Sequence, residues 1–365
     1  MNVNAPSKKL RAIVVGATGI AGQQFLTHLR AHPWFEIVAL AGSSRSAGKT
    51  YLEAITQPNG NVAWFCGDLP ARAVLEMTVQ NSAAVNAADY DVVFTAVESD
   101  AARELEPLYA ATTPVFSTAA AFRMETDVPL LIPGVNDAHL GLIEAQRKAR
   151  GWKGYVLPIP NCTTTGLAVT LKPLWDAFGL DLVVMTSMQA VSGAGRNGGV
   201  LSLDSIDNVI PYIPKEEEKV QRETQKILGS LSGAAIVPAD FGVTCTCNRV
   251  GVLDGHTETV VLSLSRPATV DEARAAMTGL GSSLAGLPSA PERLIFVHDD
   301  PFRPQPRLDR DRGAGMVTTV GRLRADPVLK NGLKYTLVSH NTRMGAAAGA
   351  TLLAELCVRE GLLLG

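Results

Sequence analysis

The stretch Leu10-Arg11-Ala12-Ile13-Val14-Val15-Gly16-Ala17-Thr18-Gly19-Ile20-Ala21-Gly22 decides how the first half of the chain is read. A short apolar run ends in a glycine-rich turn. An amphipathic stretch follows, with Phe25, Leu26 and Leu29 at helical spacing, and His32-Pro33 stops it. A second run, Phe35 to Ala41, completes strand, turn, helix, strand, which is a βαβ unit. In such a unit glycines let the backbone approach a pyrophosphate, and the free N–H groups of the helix start hold its charge. Gly16, Thr18, Gly19, Ile20, Ala21 and Gly22 are therefore expected to bind a dinucleotide. The tip of the second strand reads Gly42-Ser43-Ser44-Arg45-Ser46-Ala47-Gly48-Lys49, without the acidic residue that a ribose 2′-hydroxyl would take. Arg45 with Ser43, Ser44 and Ser46 suits a 2′-phosphate, so the expected cofactor is NADP. Tyr90 to Ala96 and Pro114 to Ser117 repeat the strand pattern as a parallel sheet, with Ser99 or Asp100 expected to cap the intervening helix.

At 365 residues the chain has room for about two to three domains. Hydrophobic residues make up 46% and charged residues 19%, a balance that packs rather than stays disordered. Lys and Arg number 33 against 35 Asp and Glu, a net charge of −2 that argues against bulk attraction to nucleic acid or anionic membrane. No apolar run approaches the roughly 18 residues of a membrane span. The start, from Met1 to Lys9, lacks the apolar core of a signal peptide. Five scattered cysteines, at 66, 162, 245, 247 and 357, fit neither a disulfide framework nor a zinc knuckle. A reducing cytoplasm and no metal are the expectation. Cys245 and Cys247 would share one face of a buried strand.

In the second half, Gly154 to Pro160 runs into Asn161-Cys162-Thr163-Thr164-Thr165-Gly166, and a helical pattern follows through Leu167, Leu171, Leu174 and Phe178. Cys162 would thus stand at a helix N-terminus, where the dipole favours a thiolate and N–H groups are free to hold an oxyanion. Asp254-Gly255-His256-Thr257 offers the best acid–base partner among six histidines. Arg249, on a strand-like stretch just before it, can clamp a carboxylate. The segment Ile210 to Lys219, taken alone, reads as an exposed charged helix start.

Together these pieces resemble the archaeal/fungal-type branch of the aspartate-semialdehyde dehydrogenases. The resemblance runs from Gly16 to about Gly349 and rests on residues 16–22, 43–49, 160–164, 189–195, 207–213, 216–219, 247–250, 254–257 and 303–311. It implies NADPH-dependent reductive dephosphorylation of aspartyl phosphate to the semialdehyde through a thioester on Cys162. His256 would exchange protons with the sulfur and the hemithioacetal oxygen, and Gln189 would orient the intermediate. Arg249 would hold the substrate carboxylate, Glu217 its ammonium, and Arg123, Asn161 and Lys219 its phosphate. Ser192, Gly193 and Asn341 would join the cofactor site. The implied fold is a Rossmann-type doubly wound parallel sheet over 1–135, an α+β catalytic and dimerisation domain over 136–344, and a C-terminal helix over 345–365 that returns to the first. A homodimer or homotetramer is implied.

The sequence departs from the family pattern at four places: Val97-Glu98-Ser99-Asp100, Ser117-Thr118-Ala119-Ala120, the Gly134 of Ile132-Pro133-Gly134-Val135-Asn136, and His340-Asn341-Thr342-Arg343-Met344. The first, second and fourth are expected near cofactor or substrate, with altered affinity or an altered substrate as the result. Two other readings stay open: an acyl-CoA reductase of the malonyl-CoA type using the same cysteine, and a non-catalytic NADP-binding paralogue.

Overall fold

The computed structural model describes residues 5–195 and 202–363. Met1 to Asn4, four of the nine residues read for a leader, and residues 364–365 of the C-terminal segment lie outside these. The first sheet has six parallel strands: β1 (Leu10–Val15), β2 (Phe35–Gly42), β3 (Val79–Asn81), β4 (Val92–Thr95), β5 (Val115–Ser117) and β6 (Val156–Pro158). Their order, β3-β2-β1-β4-β5-β6, is that of a dinucleotide-binding Rossmann sheet. These strands are near-continuous apolar runs because helices cover both faces: α1 (Ile20–His28), the short α2 (Tyr51–Ile55) and α3 (Arg72–Leu75), α4 (Ser99–Ala110) and α5 (Leu142–Arg150). Neither Ser99 nor Asp100 caps α4. The cap position is Glu98, whose side chain makes no capping bond.

From β6 the chain enters α6 (Cys162–Phe178) and then a mixed second sheet. Its strands are β7 (Leu180–Gln189), β8 (Val209–Ile210), β11 (Gly242–Val250), β12 (His256–Leu264), β13 (Ile295–Val297), β14 (Thr318–Asp326) and β15 (Gly332–Ser339), ordered β13-β14-β15-β12-β7-β11-β8. A hairpin of β9 (Ser230–Ser232) and β10 (Ala235–Val237) stands apart. Helices α7 (Ser202–Ser205), α8 (Glu216–Ile227), α9 (Val270–Thr278) and α10 (Pro306–Asp309) belong to this half. The last helix, α11 (Ala348–Arg359), packs against α1 and β5 of the first sheet. There the buried Glu355 carboxylate accepts from His32 Nε2 at 2.8 Å and from the Ser289 main-chain N–H at 2.9 Å.

Two registers bring the chemistry together. Parallel pairing of β7 with β11 sets Gln189 opposite Arg249, and antiparallel pairing of β12 with β15 sets His256 opposite Ser339. Helix α6 lies close on this sheet because Gly166 has no side chain. A Cβ there would fall 2.9 Å from Ser339 Cβ and 3.2 Å from Glu258 Oε1. Cys162, one turn earlier on the same helical face, is thereby carried to the sheet end that holds Gln189, Arg249 and His256.

Candidate active site

A cavity of about 1090 Å³ runs between the two sheets, from Thr18–Ala21 to Cys162, Gln189, Arg249 and Asn341. At its centre, Cys162 Sγ lies 3.2 Å from His256 Nε2. The other ring nitrogen, Nδ1, accepts the main-chain N–H of Ala190 at 3.0 Å. Complete burial and the Arg249 cation hold the His256 imidazole down to about 3, so it is neutral. Burial also pushes the Cys162 thiol up, the Glu216 carboxylate adds to this, and Arg123 and Arg249 pull the other way. Burial thus works against the thiolate that the helix N-terminus favours.

Asn161 is first of all the cap of α6. Its Oδ1 accepts Thr163 N–H at 2.8 Å and Thr164 N–H at 3.2 Å, so these two donors are already engaged and do not wait for an oxyanion. Its Nδ2 donates to Glu216 Oε1 at 2.9 Å and its main-chain N–H to Glu223 Oε2 at 2.7 Å.

Two buried arginines face the cavity in different electrostatic states. Arg123 Nη1 donates to Glu223 Oε1 at 3.1 Å and Nη2 to the Thr118 carbonyl at 2.9 Å. Arg249 Nη1 donates to the Ala190 carbonyl at 2.7 Å; Glu216 acts on its charge from a distance, and no carboxylate among the described residues pairs with it directly. The Nε of each is buried without a partner among those residues. A buried cation with no counter-ion is an unmet demand for an anion. Gln189 Nε2 donates to Ser187 Oγ at 3.2 Å, which leaves its Oε1 as the free end.

Glu217 is not in the cavity. Its Oε1 accepts the Cys247 main-chain N–H at 3.0 Å, whereas Glu216, 6% exposed, lines the cavity with Lys219 Nζ 3.8 Å away. The helix phase explains the correction. Val220 and Ile227 mark the buried side of α8, and Glu216, four residues before Val220, falls on that side. The segment is the exposed helix start that it resembled in isolation, with Pro211, Tyr212, Pro214, Lys215 and Glu218 exposed, except that Glu216 is turned inward. Further along the same face, Lys226 Nζ donates to the carbonyls of Arg123 (2.8 Å), Glu125 (2.8 Å) and Val128 (2.7 Å). The sequence reading missed Glu216, Glu223 and Lys226. Their spacing of seven and three residues on an apolar helical face was the available signal.

The glycine-rich loop fits a dinucleotide. A Cβ on Gly16 would fall 2.2 Å from the Ala96 carbonyl oxygen, and one on Gly22 would fall 2.2 Å from that of Gly16. The loop therefore lies flat between β1 and β4, and α1 opens without a side-chain cap on its N–H groups. Thr18, Gly19, Ile20, Ala21, Ser192 and Gly193 line the cavity, as does Asn341, whose Nδ2 donates to Ser192 Oγ at 2.8 Å. Ser43, Ser44 and Arg45 are exposed and Ser46 half-buried, all outside the cavity wall at the tip of β2.

Residues 11–143 match the model of the semialdehyde dehydrogenase NAD binding domain, and residues 171–344 that of the semialdehyde dehydrogenase dimerisation domain. The aspartate-semialdehyde dehydrogenase of Methanothermobacter thermautotrophicus is 48% identical over 94% of this chain and 97% of its own. The chain belongs to the aspartate-semialdehyde dehydrogenase family. The crystal structure of a family member from Candida albicans with NADP superposes with a TM-score of 0.86 at 38% identity, covering 97% of this chain and all of that one. Aspartate semialdehyde dehydrogenase II from Vibrio cholerae, complexed with ASA, matches with a TM-score of 0.75 at 27% identity, over 97% of this chain and 99% of that one.

Against this family two departures sit where expected, since Glu98 and the Thr118–Ala120 turn line the cavity. The fourth does so only in part. Asn341 and Thr342 line the cavity, but Arg343 turns away and its Nη1 donates to Asp311 Oδ1 at 3.0 Å. Gly134 (φ +79) packs on Leu284 and Leu294, away from the chemistry. Among the described residues no helix is long and apolar enough to cross a membrane, and no cluster of potential metal ligands is found.

Proposed function

We propose that this chain converts L-aspartyl 4-phosphate to L-aspartate 4-semialdehyde and phosphate, with NADPH as reductant. The observation that carries this reading is the Cys162–His256 pair at 3.2 Å, set between an unpaired buried arginine and a second arginine at the Asn161 end of the cavity. Arg249 binds the substrate carboxylate, and Glu216, in place of Glu217, takes its ammonium. Arg123 and Lys219 hold the phosphate, and Asn161 keeps α6 and Glu216 in place. Gln189 orients the acyl group through Oε1. Cys162 attacks the acyl carbon, the carbon–phosphate oxygen bond breaks, and a thioester remains. Bound NADPH supplies the hydride that reduces it. Thr18–Ala21 and Arg45 bind the two phosphate ends of that cofactor, with Ser43, Ser44 and Ser46 donating to the 2′-phosphate.

A CoA-thioester substrate of the malonyl type carries no ammonium, and leaves the buried Glu216 without a use. Within the chain, we assign the first sheet with α11 to the nucleotide half and the second sheet to the catalytic half. The match to a dimerisation-domain model supports a homodimer, or a homotetramer built from two, and free thiols throughout suit a reducing cytoplasm. NADPH formation from L-aspartate semialdehyde, NADP⁺ and phosphate is the test. Phosphate-dependent turnover that Cys162→Ala abolishes is expected. Turnover only with malonate semialdehyde and CoA, or none from folded NADP-binding protein, would overturn the assignment.

A further inference from the structure

Among the described residues, the charged side chains that line the cavity are Glu98, Arg123, Glu216, Lys219 and Arg249. All but Glu98 are engaged by the chain itself. Arg123 pairs with Glu223, Glu216 with Asn161 and Lys219, and Arg249 with the Ala190 carbonyl. Glu98 stands at the cap position of α4 without making a capping bond, and among the described residues its carboxylate has no hydrogen bond or ion pair. It is also a residue at which the sequence departs from the family pattern. Nothing in the fold uses this charge, so its use is sought in the cavity.

The backbone holds Glu98 beside the glycine-rich loop. Ala96 N–H donates to the Val15 carbonyl at 2.8 Å, and the Glu98 carbonyl accepts Ala102 N–H at 2.9 Å, so the chain is tied on both flanks of the residue. A Cβ on Gly16 would fall 2.2 Å from the Ala96 carbonyl oxygen and 3.0 Å from Val97 Cγ1. The loop suited to a pyrophosphate thus touches the two residues before Glu98. A dinucleotide anchored on that loop and serving Cys162 has to carry its nicotinamide end along the cavity that Glu98 and Cys162 share. The nicotinamide ring is a cation when oxidised and neutral when reduced, while the phosphates are the same in both forms. A carboxylate here therefore attracts one form of the ring only, whereas its repulsion of the phosphates is common to both. Arg249 carries the opposite charge, but it is buried on β11 and is taken by the substrate carboxylate in the proposed reaction.

We infer that Glu98 is a specificity-determining residue of the cofactor site that biases it toward the oxidised dinucleotide, NADP⁺, relative to NADPH. This deepens the NADPH site proposed above, on which it rests, and does not depend on which acyl group Cys162 carries. Tighter binding of the oxidised form lowers the potential of the bound couple, and each tenfold of preference corresponds to about 30 mV for two electrons. The carboxylate thus raises the driving force for hydride transfer to the thioester, and NADP⁺ is held more tightly afterwards.

The test is a ratio of two dissociation constants measured on the full chain without substrate, Kd for NADPH by fluorescence titration and Kd for NADP⁺ by competition against it. Glu98→Gln keeps the size of the side chain and removes its charge. The ratio Kd(NADP⁺)/Kd(NADPH) is expected to rise by about 3- to 10-fold, the scale of two unit charges within a Debye length, and the effect should shrink at about 0.5 M salt. Glu98→Asp, which retains the charge, should keep the parent ratio within about twofold. An unchanged ratio in Glu98→Gln, whether both forms tighten together or neither moves, would overturn the inference, because the carboxylate would then act on the phosphates or on nothing. That result would leave the NADPH site standing. Failure of the parent protein to bind either form would overturn the NADPH site itself and this inference with it.

Discussion

Gly345 carries a heavy steric demand in the active site, and replacing it with alanine tests whether the sulfur is positioned as described. An added Cβ would fall 2.8 Å from Cys162 Cβ and 2.9 Å from its Cα. Ordinary carbon contacts lie at about 3.5–4.0 Å, so close to 1 Å must be yielded. The near atoms belong to the backbone and root of Cys162, which α6 holds rigidly, and no flexible tip is there to move aside. Cys162 or the 343–347 segment must shift, and the 3.2 Å contact with His256 opens. A misplacement near 1 Å lowers kcat by about 100-fold, and the overpacking lowers stability by about 1–3 kcal/mol. The assay pairs kcat in the phosphate-dependent direction with Tm and the alkylation rate of Cys162. If Gly345→Ala is folded and keeps kcat within about twofold of the parent, the close packing of the 343–347 segment on the nucleophile is refuted.

Glu216→Gln should raise KM for the semialdehyde by about 10-fold or more through loss of a charged hydrogen bond, while Glu217→Gln leaves KM unchanged; equal effects would contradict the helix phase of α8. Arg249→Leu should raise the same KM by about 10- to 100-fold and spare the KM for phosphate, whereas Arg123→Leu should do the reverse. Arg45→Ala should weaken NADPH by about 10-fold and leave NADH binding as it was, read by fluorescence titration. The buried Glu106 links α4 to β4 and β5, its Oε1 accepting from Thr95 and Ser117 while Oε2 has no partner among the described residues. Burial raises its carboxyl from an ordinary 4.5 to about 7. Between these values the folded chain keeps a proton that the unfolded chain has lost. Stability therefore falls as pH rises through that window, by at most about 1.4 kcal/mol per pH unit. Tm measured against pH should show this fall, and Glu106→Gln should flatten it.

Much of the architecture was legible where the signal is local. β1 spans the stretch read as a strand, Cys162 opens the helix it was expected to open, and both Cys245 and Cys247 are buried on β11. The residues themselves pointed to Cys162, Arg249 and His256, and the family resemblance added Gln189 and Arg123; Cys162, Gln189, Arg249 and Arg123 line one cavity and His256 touches Cys162. What stayed hidden depends on phase and on distant partners. Glu216 and Glu217 are both acidic and adjacent, and only the 100° step of the helix against Val220 separates a cavity wall from a β11 contact. The resemblance gave Asn161 to the phosphate, whereas its Oδ1 caps α6 and its Nδ2 donates to Glu216, a use that only the fold reveals. Glu223 matters through Arg123, a hundred residues away, and Arg343 points to Asp311 across a turn that no periodicity describes. The order of the second sheet is likewise non-local, with β7 paired to β11 and β12 far along the chain.

The place of α11 also bears on how the chain is made. The first sheet is complete at Pro158, yet α1 and β5 find their covering helix only at Ala348–Arg359, and Tyr155 donates its hydroxyl to the Leu362 carbonyl at 3.3 Å. At about 5–20 residues per second a ribosome needs on the order of 10–40 s between those two points. Throughout that interval the nascent nucleotide half lacks the helix that packs on α1 and β5, and His32 waits for Glu355. The half that emerges first is therefore the last to finish folding, and in this period a chaperone has a surface to hold.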